Sequence, residues 1–378
     1  MLTIGFDAKR IVRNNTGLGS YGRTLVRSLA HLPGTLRLRL YAPDKGRDDL
    51  RTQVEGLPRI SLCYPKDGAH LPFQKALWRD HGIVRDLQKD KVQVYHGLSG
   101  ELPRGIRRSG IRSVVTIHDL IFLRHPEFYP WIDAKIYAWK FYRTLKEADH
   151  IIAISECTKR DILELGHIDS ERVSVIYQSC APRFTTVPSP VEQEQVRLHY
   201  GLPKRFILNV GTIEQRKNIL LAVKALESLP SDLSLVIVGR QTPYTNQVID
   251  YISSHNLHHR VYMLHGVPDA ELPMLYAQAE AFVYPSVYEG FGIPIIEAVS
   301  CGLPVVACTG SCLEEAGGPD CRYVSPDDPE ALADAIRQSL KGTPDREERI
   351  QRSQAYIRRF QGDNVASQVA EIYQRLAG

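Results

Sequence analysis

Glu289 and Glu297 stand eight residues apart, on either side of the turn Gly290-Phe-Gly-Ile-Pro294. Glycines at 290 and 292 let the backbone approach a ligand and present N–H groups around Phe291 and Ile293. Proline is favoured in the first turn of a helix. The spacing therefore predicts Glu289 in a loop and Glu297 about a turn inside a helix, two carboxylates held apart and each able to accept hydrogen bonds from a vicinal diol. Taken singly, either is equally an acid near the positive end of a helix. Upstream, an apolar run at 206–210 ends at Gly211, and Arg216 and Lys217 follow just before a helix expected from Asn218. A guanidinium fork and a compact ammonium at the carboxyl edge of a strand, beside a helix N-terminus, suit a diphosphate. Without the glycine-ended strand, the same pair would read as a solvated basic turn.

The first half carries weaker signals. Asn14-Asn-Thr-Gly-Leu-Gly-Ser-Tyr-Gly22 opens a helix through Gly17 and Gly19, and its Gly-x-Gly-x-x-Gly spacing with Asp44 downstream resembles a dinucleotide fingerprint. A true fingerprint turns directly off its strand, whereas ten residues separate Phe6 from Gly17, which disfavours a nicotinamide cofactor. His118, in Thr116-Ile-His-Asp-Leu120, ends a strand where a cleft is expected, with Asp119 orienting the loop; His96 ends another. A lone histidine in such a place is as readily structural. The segment 131–143 interleaves Trp131, Tyr137, Trp139, Phe141 and Tyr142 with Lys135, Lys140 and Arg143, which fits either a core-facing stripe or a face resting on anionic lipid.

Positioning these groups requires regular elements. Strands are expected at 3–6, 36–41, 92–95, 113–117, 151–154 and 173–177, with helices at 18–31, 72–89, 131–147 and 156–165 between them. The alternation restarts with strands at 206–210, 235–238, 262–264, 281–284 and 305–307, and helices close the chain at 328–341, 346–359 and 363–377. Strands alternating with helices of this length imply βαβ units and parallel sheets. The fold class is thus α/β, with two Rossmann-like, doubly wound domains and ligands at the carboxyl ends of the strands. The expected boundaries are 1–182 for the first domain, a proline-marked linker at 183–195, and 196–359 for the second. Residues 360–378 are expected to return to the first domain.

Bulk properties agree with a two-domain soluble chain. The 378 residues are 43% hydrophobic and 24% charged, which argues against disorder, and no apolar window is long enough to span a membrane. Seven scattered cysteines offer neither a disulfide framework nor metal-ligand spacing, so a reducing, cytoplasmic setting is expected. The net charge of +4 is uneven: residues 1–190 hold 30 Lys+Arg against 20 Asp+Glu, and residues 191–378 hold 17 against 23. A basic first half suits an anionic partner or membrane surface, although ordinary surface variation would also produce it. Nothing points to nucleic acid.

Glu289 to Glu297 resembles the Glu-x7-Glu motif of glycosyltransferase family 4, whose fold is called GT-B. Gly211 to Asn218 resembles that family's Gly-x5-Lys-Asn loop, and Cys301-Gly-Leu-Pro-Val-Val306 and Val324-Ser-Pro-Asp-Asp-Pro-Glu-Ala-Leu332 match its downstream segments. Gly17-Leu-Gly19 is similar to its glycine-rich loop. The resemblance implies a retaining hexosyltransferase that works without a metal ion or cofactor, the nucleotide sugar being a co-substrate. Arg216 and Lys217 would hold the donor diphosphate, Glu297 the ribose, and Glu289 the sugar hydroxyls, helped by backbone N–H groups at 290–293. Gly17, Gly19 and Gly211 would border the donor, and His118 the C6 end of its sugar. The style of the motifs implies mannosyl transfer from GDP-mannose, with a UDP-hexose second, in surface polysaccharide synthesis. The acceptor would be a glycan or a polyprenyl-diphosphate-linked glycan at the inner face of a membrane. An epimerase or phosphorylase of similar fold, or a non-catalytic nucleotide-sugar binder, remains an alternative. Gly310-Ser-Cys-Leu-Glu-Glu315 departs from the Leu-Pro found in many members and assigns no base.

Overall fold

The computed structural model describes all residues except 35, 66–70 and 361. The chain forms two compact units, Met1–Ser179 with Phe360–Gly378, and Cys180–Arg359.

In the first unit seven strands form one parallel sheet: β1 (Leu2–Asp7), β2 (Leu36–Tyr41), β3 (Ile60–Cys63), β4 (Val94–Gly97), β5 (Arg112–Ile117), β6 (His150–Ala153) and β7 (Val173–Val175). Their order is β3-β2-β1-β4-β5-β6-β7. The second unit repeats the plan with six: β8 (Phe206–Val210), β9 (Ser234–Val238), β10 (Val261–Leu264), β11 (Phe282–Tyr284), β12 (Val305–Cys308) and β13 (Arg322–Val324), in the order β10-β9-β8-β11-β12-β13. Helices cover both faces, so central strands such as β6 and β9 are buried throughout. That is why they read as unbroken apolar runs instead of alternating ones. In each sheet the winding reverses once, between β1 and β4 and between β8 and β11. At such a point the two outgoing loops diverge and leave a crevice at the carboxyl edge.

The helix Gly362–Ala377 belongs to the first unit. Val365, Ala366, Val369, Ala370, Ile372 and Tyr373 are buried in one cluster with Phe6, Val26 and Leu29, and Leu376 packs against it. The Tyr373 hydroxyl lies 2.6 Å from Nδ1 of the buried His96.

Several expectations need correction. The segment 183–195 is no open linker: it lies within the second unit and holds the 3-10 turn Pro182–Thr185 and the start of the helix Pro190–His199. Phe184 is buried edge-on against Tyr276, 5.7 Å between ring centroids, and Ser189 with Glu192 forms a capping box. Two of the prolines that suggested a linker, Pro182 and Pro190, instead start these helical turns. The helix expected at 72–89 does run over those residues, with its middle turn, Trp78–Gly82, wound as π-helix between Pro72–Leu77 and Ile83–Lys89. Strands β3 and β13 were not expected.

Candidate functional site

In the second unit, the loops leaving β8 and β11 at the winding reversal meet over one cluster of charge. Arg216 and Lys217 lie in the 3-10 turn Gln215–Lys217 that follows β8. Lys217 Nζ donates to Glu289 Oε1 at 2.5 Å, and Arg216 Nη1 lies 2.7 Å from Glu289 Oε2. Arg216 also donates to the Tyr288 carbonyl and to Glu214 Oε1, both at 2.7 Å. Tyr284, the last residue of β11, accepts from Lys217 at 2.5 Å and donates to Glu289 Oε1 at 3.1 Å. The three charged side chains are 11–16% exposed. Burial alone would raise the Glu289 carboxyl, but Lys217 and Arg216 outweigh it and hold it at about 2. Lys217 has three ammonium protons and uses two of them here; Arg216 likewise keeps donors free. The cluster thus sets two cations against two carboxylates, Glu289 and Glu214, an arrangement that could offer an anion the remaining donors.

The turn between the glutamates follows the spacing. Gly292 takes φ +118° at the N-cap of the helix Ile293–Ser300, a conformation a side chain would strain, and a Cβ there would meet Leu313 at 3.1 Å. Gly290 and Phe291 are buried in the turn, and Ile293 is half-buried at its end. Cys312 Sγ lies 3.0 Å from the carbonyls of Glu289 and Phe291 and supports the turn from below. Gly211 follows β8, its N–H donating to the Val238 carbonyl at 2.9 Å. Glu297 projects from inside the helix, partly exposed, and accepts from the Tyr276 hydroxyl at 3.1 Å. Burial pushes its carboxyl up to about 7, against the pull of Tyr276 and Arg183. The structure thus joins Glu289 with Arg216 and Lys217 and gives Glu297 different partners.

In the first unit, Gly17 opens the helix Gly17–His31 into free space, whereas a Cβ on Gly19 would sit 1.7 Å from the Asn14 carbonyl oxygen. Position 19 therefore admits only glycine. Buried Arg23 fixes the loop beneath, donating to the Ile11 and Asn14 carbonyls at 2.8 Å each. His118 follows β5. Its Nε2 lies 2.8 Å from the Leu98 carbonyl, which can only accept, so Nε2 carries the proton and Nδ1 accepts from the Gln178 amide at 2.9 Å. Tyr21 stands edge-on to the imidazole at 4.9 Å, and burial holds its pKa at about 4. His118 is thereby a neutral, fixed ring suited to shaping a site, with neither nitrogen idle. His96 is fully buried between Tyr373 and Thr116, its pKa lowered to about 3 by burial, and serves the core. Asp119 accepts from the Ile121 N–H at 3.2 Å and starts the next turn. All seven cysteines are free, and among the described residues no group of three or more His, Cys, Asp or Glu is arranged to hold a metal ion.

Residues 16–182 match the family model "Glycosyltransferase Family 4", and residues 192–356 match "Glycosyl transferases group 1". An O-antigen chain mannosyltransferase B of Escherichia coli is 31% identical over 376 residues, 96% of each chain. The chain belongs to the family 4, group 1 glycosyltransferases. The O-antigen chain mannosyltransferase RfbU of Salmonella typhimurium is 30% identical over 257 residues, covering 68% of this glycosyltransferase and 67% of the relative. Solved structures of lower identity share the GT-B fold. Sucrose-phosphate synthase of Thermosynechococcus elongatus superposes with a TM-score of 0.78 at 20% identity, over 100% of this chain and 99% of that one. HepE of Anabaena, solved with UDP and glucose, gives 0.76 at 18%, over 99% and 100%.

Within each unit, several residues that hold the candidate groups escaped sequence reasoning. Tyr284 was within reach, since it is the last residue of a strand that leads into the acidic motif. Tyr276, Gln178 and Tyr21 lie far along the chain from the groups they hold, and no local pattern marks them or Arg23.

Proposed function

We propose that this glycosyltransferase moves a hexose, mannose first, from a nucleotide diphosphate donor to a hydroxyl of a glycan on a lipid carrier. GDP-mannose is preferred to a UDP-hexose, the anomeric configuration is retained, and neither metal ion nor cofactor is needed. The observation that carries this reading is the Arg216–Lys217–Glu289 cluster at the winding reversal of the second sheet. Two cations of fixed position stand ready for the charge that a departing diphosphate develops. The oxygens of Glu289 already accept from Lys217, Tyr284 and Arg216, which suits a carboxylate that orients sugar hydroxyls better than a free nucleophile. Attack then comes from the face of the leaving group. The acceptor oxygen bonds to the anomeric carbon as the bond to the diphosphate breaks, and the hydroxyl proton passes to the departing phosphate oxygen. By the family resemblance Glu297 would accept from the ribose diol, and the His118 ring and the loop at Gly17 and Gly19 would border the sugar.

The preference for mannose and for a polysaccharide product rests on the likeness to two O-antigen chain mannosyltransferases, 31% and 30% identical to this chain. Among the described residues no helix is long and apolar enough to cross a membrane. The basic first half and the aromatic helix Trp131–Glu147 favour contact with an anionic bilayer from the cytoplasmic side. The test is transfer from GDP-mannose to a prenyl-diphosphate-linked sugar, followed by proton NMR of the new anomeric centre with and without EDTA. The expected product keeps the donor's α configuration at an unchanged rate. An inverted product, or turnover lost on chelation and restored by Mg²⁺ or Mn²⁺, overturns the corresponding part of the proposal.

A further inference from the structure

The first unit contains a cavity of about 570 Å³ whose walls carry seven cations against three carboxylates. Lys9 and Arg13 enter it from the segment after β1, Lys75 and Arg79 from 72–82, and Lys140 and Arg143 from the helix Trp131–Glu147. The π-helical turn Trp78–Gly82 brings Arg79 and Asp80 onto this wall together; such turns recur at functional sites. Most of the charges are paired: Arg79 with Asp7 and Glu101, Lys140 with Glu101 at 2.8 Å, Arg143 with Asp80 at 2.8 Å. Two donors are left over. Among the described residues the half-buried Lys9 ammonium has no ion pair, and burial, Arg79 and Arg10 lower its pKa against the opposing pull of Asp7 and Glu101. Arg143 Nε is buried with no partner. A desolvated ammonium beside another cation is costly unless an anion joins it.

The two helical segments that supply these walls also carry exposed apolar side chains, of which Trp139 lines the cavity itself. On one, Phe73 and Leu77 are 63% and 41% exposed; on the other, Trp131, Ile136 and Trp139 are 73%, 44% and 57% exposed. Ile132, Ile136, Trp139 and Arg143 recur at helical spacing, so the apolar stripe runs along the helix into the basic wall. The loop at 98–101 connects this cavity to His118, with Leu98 accepting from the imidazole and Glu101 lining the wall.

We propose that this cavity binds the diphosphate head of a prenyl-diphosphate-linked acceptor, with the prenyl chain leaving along the exposed apolar stripe. The inference rests on the reading that the chain extends a lipid-carried glycan, and it assigns that acceptor a site. A volume of this size suits a diphosphate with an adjoining sugar.

Farnesyl diphosphate, farnesol and inorganic pyrophosphate serve as probes of the full-length chain, read by tryptophan fluorescence. Trp78, Trp131 and Trp139, all three tryptophans of the sequence, lie on the two segments that border the cavity. Farnesyl diphosphate is expected to bind at least about tenfold tighter than either fragment, and Lys9→Gln with Lys75→Gln to weaken it about tenfold or more. Lys9 has no acid to orphan, so Lys9→Gln alone also tests the site without disturbing a pair. Equal binding of farnesol, equal binding of pyrophosphate, or unchanged affinity in the variants overturns the proposal. So does binding to phosphatidylglycerol vesicles that depends on these lysines while farnesyl diphosphate does not bind, which would make the cavity a membrane anchor. The same samples are titrated with GDP. Intact nucleotide binding alongside failure with farnesyl diphosphate sinks this inference and leaves the functional reading standing, whereas absent nucleotide binding sinks that reading itself.

Discussion

The carboxyl of Glu297 releases its proton near pH 7 and that of Glu289 near pH 2, although only eight residues separate them. Burial raises both; two cations reverse the effect at Glu289, while Tyr276 and Arg183 offset it only in part at Glu297. If Glu297 accepts from ribose, the ionised form is the binding form, and nucleotide-sugar affinity falls as pH drops below about 7. Calorimetry across that range should show the fall in the native chain and a flat, weaker profile in Glu297→Gln. An equal slope in both would remove Glu297 from the ribose site. The linkage to stability has the opposite sense. An acid whose folded pKa lies above its unfolded value of 4.5 costs stability as pH rises from 4.5 through 7. Glu297→Gln should therefore unfold at higher temperature than the native chain at pH 8, by on the order of 1–3 kcal/mol. At Glu289 the neutral amide leaves the largely buried Lys217 without its counter-charge and Arg216 with Glu214 alone. Glu289→Gln should lose about 3–5 kcal/mol of stability. It should bind GDP at least as tightly as the native chain, because Arg216 and Lys217 are released, yet turn over about 10²-fold more slowly. Weakened GDP binding with normal kcat would mean that the two ends of the donor are reversed.

The helix Gly362–Ala377 contributes a side chain to the centre of the first unit. The Tyr373 hydroxyl reaches His96 Nδ1, Nε2 of the same ring lies 2.8 Å from Thr116 Oγ1, and Thr116 lies 3.0 Å from the Tyr21 hydroxyl. Tyr373→Phe keeps the ring and orphans a buried histidine nitrogen, so a loss of about 1–3 kcal/mol is expected in denaturant unfolding. A loss of a few tenths would mean that water fills the gap. How far the sequence revealed such elements depends on what each element buries. Central strands such as β8 and β9 are apolar but for Asn209 and Ser234, because helices cover both faces, and they were legible. Edge strands β3 and β13 are three or four residues long, with Ser61 exposed in β3 and Arg322 half-buried in β13, so neither periodicity nor a run betrays them. The glutamate spacing was legible because a turn and a helix start lie within nine residues. The ion triad was not, since it joins groups 72 residues apart that only the parallel order of β8 and β11 brings together.

The second unit is one continuous stretch with its own core, whereas the first is assembled from both ends of the chain. Residues 180–359 expressed alone should unfold cooperatively and bind GDP. Residues 1–359 should instead leave Phe6, Val26 and His96 without their cover and be cleaved rapidly by protease; resistance equal to the full chain would show that the last helix is dispensable. The same layout sets an order of events during synthesis. Domains ordinarily fold in the order in which they leave the ribosome. Here the half made first must wait, because its closing helix emerges only after the whole of the second unit, and the half made second can finish before it. For most of translation the basic first unit is held open with an apolar groove that nothing yet covers, a natural client for chaperones. Nascent chains stalled just before and just after release of residues 362–377 should therefore differ sharply in protease resistance at sites in residues 1–179, and scarcely at all in 180–359.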